Sequence, residues 1–265
     1  MNMFLHELRA YRKSTLVWSI SLMSLVVLFL LLFPSFSRDA EEFMQVLEGF
    51  PEELKRAVGL SIETLATLLG FFSYAFLYIK LGGAIQAMNL GISIVSKETR
   101  EKTADFLLTK PVTRSQVFFS KLFAALTSLF LTNIVFFFTV FAMSSWVNTE
   151  SNNEKTLFLI CATLFFLQVI FLALGILTGI IFPGIKSVIA VSLGSVFTFF
   201  ILGMISSSTE DKGLRYLTPF NYFDNQYIIK NLSYEAPFVW TGMFIVFGAI
   251  AAGMAIYQRR DVHAG

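Results

Sequence analysis

Histidine is nearly missing from this chain, and its two copies, His6 and His263, stand at opposite ends outside every apolar run. No H-E-x-x-H, G-x-S-x-G or Cys/His metal pattern is present. The nearest approach to a phosphate-binding loop, Gly91 to Glu98, lacks the second glycine and the closing Ser or Thr. A chain so equipped has no route of its own to ATP hydrolysis by that motif, and no cluster of acids, bases or ligands for a membrane enzyme. The single cysteine, Cys161, lies in an apolar run and excludes a disulfide within the chain; it reads as a small buried residue or as a lone thiol. Charge is scarce as well: 14% of residues are Asp, Glu, Lys or Arg, against about 25% in soluble domains.

What fills the chain instead is apolar sequence, 55% of it, with 31 phenylalanines and a mean hydropathy of +0.69. Uninterrupted runs of about 20 residues suit membrane-spanning helices, whereas barrel strands alternate over about 10. Six spans are expected, at about 15–33, 67–95, 122–143, 156–181, 187–207 and 237–257, giving an all-α polytopic protein with one transmembrane domain over 1–265. The first run follows Arg9, Arg12 and Lys13 as a signal sequence would, but it is too long for one and no A-x-A site follows, so it is expected to be retained. None of the six runs contains Asp or Glu, which argues against proton coupling.

Charge orients the spans. With both termini inside, the cytoplasmic segments carry 12 Lys and Arg against five acids, and the outer segments seven against 13. Trp146 and Trp240 then mark outer boundaries and Tyr257 an inner one. Met1 to Arg12 is amphipathic, with Phe4, Leu5, Leu8 and Tyr11 on one helical face and Glu7, Arg9 and Arg12 elsewhere. It reads as a short helix on the inner membrane surface or as the plain start of the first span. The outer loop 34–66 is acidic, with a helix start at Pro51-Glu52-Glu53, and reads as a cap over a pathway or as a connector. The outer loop 208–236 is rich in aromatics that re-enter the membrane or lie at its surface.

Lys80 is the one formal charge deep in a span, where it must face protein or water. It shares a helical face with Ser73, Ala84, Ala87 and Gly91. A second stripe holds Tyr78, Gly82, Gln86, Asn89 and Ser93. Span two is therefore the candidate pathway wall, with Tyr78, Lys80, Gln86 and Asn89 as its polar groups; the other reading has Lys80 pairing with a carbonyl or a loop acid. Gly175 and Gly179 read as helix packing.

Between spans two and three lies a basic island, Ser96 to Lys121, with six of the 20 Lys and Arg. Pro111 stops whatever helix precedes it, and Thr113 with Gln116 makes a capping-box pattern, so the next helix is expected to start at about Arg114, still in the cytoplasm. Thr103 is a plausible N-cap for a short helix ending at Lys110, and Phe106, Leu107 and Leu108 give it an apolar knob. Such a knob rests on the lipid interface or enters a groove on a soluble partner.

These residues carry a resemblance. Glu98, the stretch Lys102-Thr103-Ala104-Asp105-Phe106-Leu107-Leu108, then Pro111-Val112-Thr113-Arg114 and Lys121, resemble the first cytoplasmic loop of permease subunits of type-2 ABC exporters, the ABC-2 family, with Lys102 where glycine is usual. Leu217-Thr218-Pro219-Phe220 resembles a common segment of the last outer loop. The resemblance implies six helices, an N-terminal interfacial helix and a coupling helix between spans two and three. Its docking residues would be Glu98, Thr103, Asp105, Phe106, Leu107, Leu108, Lys110 and Arg114. It implies a non-catalytic homodimer in a bacterial cell membrane, docked on two copies of a separate ATP-binding subunit that carries ATP and Mg. No cofactor belongs to this chain and no nucleic acid to the complex. A hydrophobic or amphipathic compound or peptide is the expected export substrate. A self-sufficient secondary transporter or channel, and an immunity or sensing protein without cargo, are the alternatives.

Overall fold

In lipid a backbone can satisfy its polar groups only within itself, and the apolar runs accordingly fold as helices. The computed structural model describes residues 3–39, 46, 49–57, 67–100, 113–147, 154–209 and 212–259. Six long apolar helices contain the six runs: α1 (Met3–Arg38), α3 (Leu68–Arg100), α4 (Arg114–Val147), α5 (Glu154–Ile181), α6 (Val188–Thr209) and α9 (Ala236–Arg259). Among the described residues three short α-helices, α2 (Glu52–Ala57), which begins after Pro51 as its sequence predicts, α7 (Lys212–Arg215) and α8 (Asn225–Asn231), and a 3-10 turn at Pro219–Asn221 lie in the connecting segments.

The first helix corrects one expectation. Met3 to Arg12 is not a separate surface helix; it is the opening of a continuous 36-residue α1, which runs on through Pro34. No Gly or Pro interrupts the chain before Thr15, so nothing in the sequence breaks the helix at the membrane surface. At about 1.5 Å per residue α1 is about 54 Å long, well beyond a hydrocarbon core of about 30 Å. Glu7, assigned above to the polar side, is buried.

The helices α3 and α5 form the centre. Their most apolar windows are 61% buried, while those of α1, α4, α6 and α9 are 17–28% buried. Glycine explains how closely the two approach. A Cβ on Gly91 would lie 2.5 Å from the Leu172 carbonyl oxygen, and one on Gly175 would lie 2.6 Å from that of Met88. The backbones touch where a side chain would otherwise stand, as small residues permit in membrane helices. Around this pair α1 packs along α4, and α9 packs on α5. Three apolar clusters result, two of them large. One, with Ile92, Phe118, Leu122 and Ile176, lies toward the 96–121 end; the other, with Leu30, Phe72, Phe76 and Ile160, lies toward the opposite end. Large apolar side chains such as Leu28, Phe138, Phe244 and Phe247 point outward, as a lipid-facing surface requires.

Candidate functional site

The helix leaving the basic island starts where the sequence predicts, and for the predicted reason. The Thr113 N–H donates to Gln116 Oε1 at 3.0 Å, and the Gln116 N–H donates to Thr113 Oγ1 at 3.3 Å. This reciprocal capping box satisfies two N–H groups that the first turn of α4 would leave without partners. Arg114 follows at once. Its guanidinium donates to the Gln258 carbonyl oxygen at 2.9 Å, while the Gln258 amide donates to Ser115 Oγ at 3.0 Å. Phe118 and Tyr257 pack at a tilt nearby, ring centres 5.9 Å apart. The end of α9 is thus fastened to the start of α4.

A second fastening lies deeper. Lys121 and Glu7 form an ion pair at 3.3 Å with side chains 1% and 5% exposed. The same ammonium donates to the Ile94 carbonyl oxygen of α3 at 2.6 Å. One turn along α1, Tyr11 hydrogen-bonds Ser93 at 3.1 Å, and the Lys97 ammonium lies 5.9 Å from the centre of the Tyr11 ring. The ends of α1, α3, α4 and α9 therefore meet around the two roots of the island. Of the docking residues expected from the sequence, Arg114 takes part in this junction. Thr103, Asp105, Phe106, Leu107, Leu108 and Lys110 lie outside the described residues, as do Pro111 and Val112. Glu98 falls in the last turns of α3, with its side chain outside the described set.

The polar groups of span two are divided among different surroundings. Tyr78 is exposed, stacks on Phe29 of α1 at 5.8 Å and shares a hydroxyl contact of 3.0 Å with Tyr74. Asn89 is half-buried. Gln86 is buried in a network that crosses four helices. Its amide donates to Thr132 Oγ1 of α4 at 2.9 Å and its carbonyl accepts from Gln168 Nε2 of α5 at 3.0 Å. Ser19 of α1 donates to Thr132 at 3.1 Å, and Asn133 donates to Gln168 Oε1. These partners went unnoticed in the sequence reading. Their signal was there, since Thr132, Asn133 and Gln168 are polar residues in mid-run, and polar groups in lipid seek one another.

Lys80 points to the opposite end. Its ammonium is buried, lies 3.5 Å from the Phe220 carbonyl oxygen and 5.8 Å from the Phe76 ring centre, and feels the charge of Asp224. The segment it meets is a folded element. Thr218 Oγ1 donates to the Phe199 carbonyl at 2.7 Å, and the Asn221 amide donates to the Gly203 carbonyl at 2.9 Å and to Ser207 Oγ at 3.1 Å. Arg215 pairs with both carboxylate oxygens of Glu235, donates to the Asn221 carbonyl at 2.9 Å and lies 3.9 Å over the Phe238 ring. The Tyr222 hydroxyl donates to the Tyr216 carbonyl at 2.5 Å, and burial pushes that phenol up to about 12. Asp224 caps α8 by accepting from the Gln226 N–H at 2.9 Å, and the Asn225 amide reaches the Ser73 carbonyl of α3 at 3.3 Å. Phe220, Tyr222 and Phe223 are buried in consequence. Among the described residues no group of three or more His, Cys, Asp or Glu side chains is placed to hold a metal.

Six apolar helices, a folded segment at one end and four helix ends gathered at the roots of a basic loop at the other define a multi-pass membrane protein. A sequence model of the family described as ABC-2 family transporter protein matches residues 1–262, and the chain belongs to that family. It is the membrane component of an ABC-2 type transporter, a non-catalytic permease whose ATPase lies in a separate subunit. Such permeases generally pair with an ATP-binding subunit. A search of the curated proteins found no match.

Proposed function

We propose that two copies of this chain form the pathway of an ATP-driven exporter and that each copy docks an ATP-binding subunit through its basic island. Residues Thr103 to Lys110 form the coupling helix, Phe106, Leu107 and Leu108 enter a groove on the ATPase, and Glu98, Asp105 and Arg114 flank them. Both termini lie in the cytoplasm. The observation that carries this reading is the build of the island's two roots. A loop with an apolar knob is delivered by a capped helix start at Thr113 and by the end of α3, and both roots are braced by α1 and α9.

ATP on the partner subunits, with its Mg, favours one of two arrangements of the helix bundle. Export requires only that cargo bind the two arrangements differently. Span two lines the pathway through Tyr78, Lys80, Gln86 and Asn89. Lys80 serves at the outer end, where it meets the 219–225 segment. The cargo class that the aromatic, acid-free spans and acidic outer loops suit is a hydrophobic or amphipathic compound or peptide.

Co-purification tests the docking. Membranes holding the chain and its ATP-binding subunit are solubilised, and the chain is captured with and without Leu107→Asp. The wild type is expected to bring the ATPase with it and the variant to lose it. Equal recovery with both would remove the docking role from the island.

A further inference from the structure

The Glu7–Lys121 pair has no part in docking as described, yet both side chains are buried, and burying charge is costly. Removing a carboxylate and an ammonium from water carries a penalty that their attraction often fails to recover, and apolar residues of equal volume commonly pack as well or better. Glu7 Oε2 adds to the penalty, being buried without a hydrogen-bond partner. What the charges supply in return is geometry. One ammonium is held by a carboxylate of α1 at 3.3 Å and by a backbone carbonyl of α3 at 2.6 Å, while its own stem belongs to α4. Three helices meet at a single atom.

Its level in the bundle matters. Ile94 stands six residues before the end of α3 at Arg100, and Lys121 seven residues after the start of α4 at Arg114. At about 1.5 Å per residue both are about 10 Å from the 101–112 segment, measured along either root. Glu7 and Tyr11 are four apart and lie on one face of α1, so the Tyr11–Ser93 bond repeats the connection one turn along. The neighbouring cations of the α1 start, Arg9, Arg12 and Lys13, are exposed.

We infer that Glu7 and Lys121 are positioning residues that clamp the start of α1 to both roots of the 101–112 segment, so that displacement of that segment moves α1, α3 and α4 as one body. The clamp deepens the docking reading and rests on it for its use, though its existence is separately measurable. The N-terminal turns become a third arm of the coupling apparatus, held where the carboxylate of α1 and the carbonyl of α3 come within reach of the one ammonium of α4.

Spin labels at Ala10 and Phe119, both exposed, test the clamp in liposomes in a Cys161→Ala background. The wild-type chain alone is expected to give one narrow distance, and Glu7→Ala to lose it. Glu7→Gln keeps the shape of the side chain and one acceptor oxygen, so it is the milder variant and widens the distribution by a smaller margin. Unchanged distributions in both variants overturn the clamp. A second arm uses the complex with the ATP-binding subunit and a non-hydrolysable ATP analogue, with distances taken from each label to one at Trp240. In the wild type nucleotide is expected to shift both labels together, and in a Glu7 variant only that at Phe119. A merely structural role would lower yield and leave this coupling in place, so joint movement in the variant overturns the inference. If the ATPase is never captured, the docking reading fails alone and the first arm still decides the clamp.

Discussion

At the residue scale the most consequential interaction is the one between Glu7 and Lys121, because it places opposite charges where neither is stable alone. Losing Lys121 leaves the Glu7 carboxylate buried without that counter-charge, at about 3–5 kcal/mol. Glu7→Gln and Lys121→Met should each destabilise the protein, Lys121→Met by about that amount, and the double variant should lose less than the sum of the two by about 0.5–3 kcal/mol. Unfolding titrations in detergent micelles measure all three, and strict additivity would mean that the pair does not interact. Sequence reasoning could not have found this pair. The residues are 114 apart, and Glu7 was placed on a polar face by counting helical positions in isolation. The Gln86 network is a similar case. A polar residue in mid-span was visible in the sequence, but its partners on α4 and α5 depend on how three helices are rotated against one another, which local pattern does not specify.

At the scale of elements, local chemistry was legible wherever a few adjacent residues decide the outcome. The capping box of Thr113 and Gln116, the restart at Arg114 and the helix after Pro51 all follow from side chains within one turn. The continuity of α1 was not legible, because amphipathicity describes a face and says nothing of where a helix ends. The Gly175–Gly179 spacing reads as packing, and the structure supplies its partner: α3, with Gly91 opposite Gly175. That contact gives an asymmetric test. Gly91→Ala and Gly175→Ala each push a methyl group into a backbone carbonyl, which cannot move aside, and should cost about 1–3 kcal/mol or more. Gly194→Ala meets nothing within 4 Å and should be neutral or stabilising by up to about 1 kcal/mol. Thermal unfolding of the three variants in detergent checks the contrast, and equal effects would contradict the α3–α5 contact.

At the scale of the whole molecule, composition alone identified a six-helix membrane protein, because length, hydropathy and the scarcity of charge act everywhere along the chain. Orientation rests on charge. Ala10→Cys should react with a membrane-impermeant thiol reagent only once the membrane is opened, whereas Trp240→Cys should react in intact cells; the reverse pattern would invert the bundle. In the proposed orientation, the island's two roots and the four helix ends gathered there lie on the side where an ATPase would stand. The fold of the 212–235 segment is the part least readable beforehand: Thr218, Asn221, Asn225 and Tyr234 donate hydrogen bonds to α3, α5 and α6 that only the assembled bundle provides. The most direct test of the account is ATP turnover by the ATP-binding subunit reconstituted with this chain in liposomes. Wild-type chain is expected to change that turnover, and Leu107→Asp, inserted at the same level, to leave it at the rate of the subunit alone. Equal turnover with wild type and Leu107→Asp would contradict the central claim that the basic island connects this permease to its source of energy.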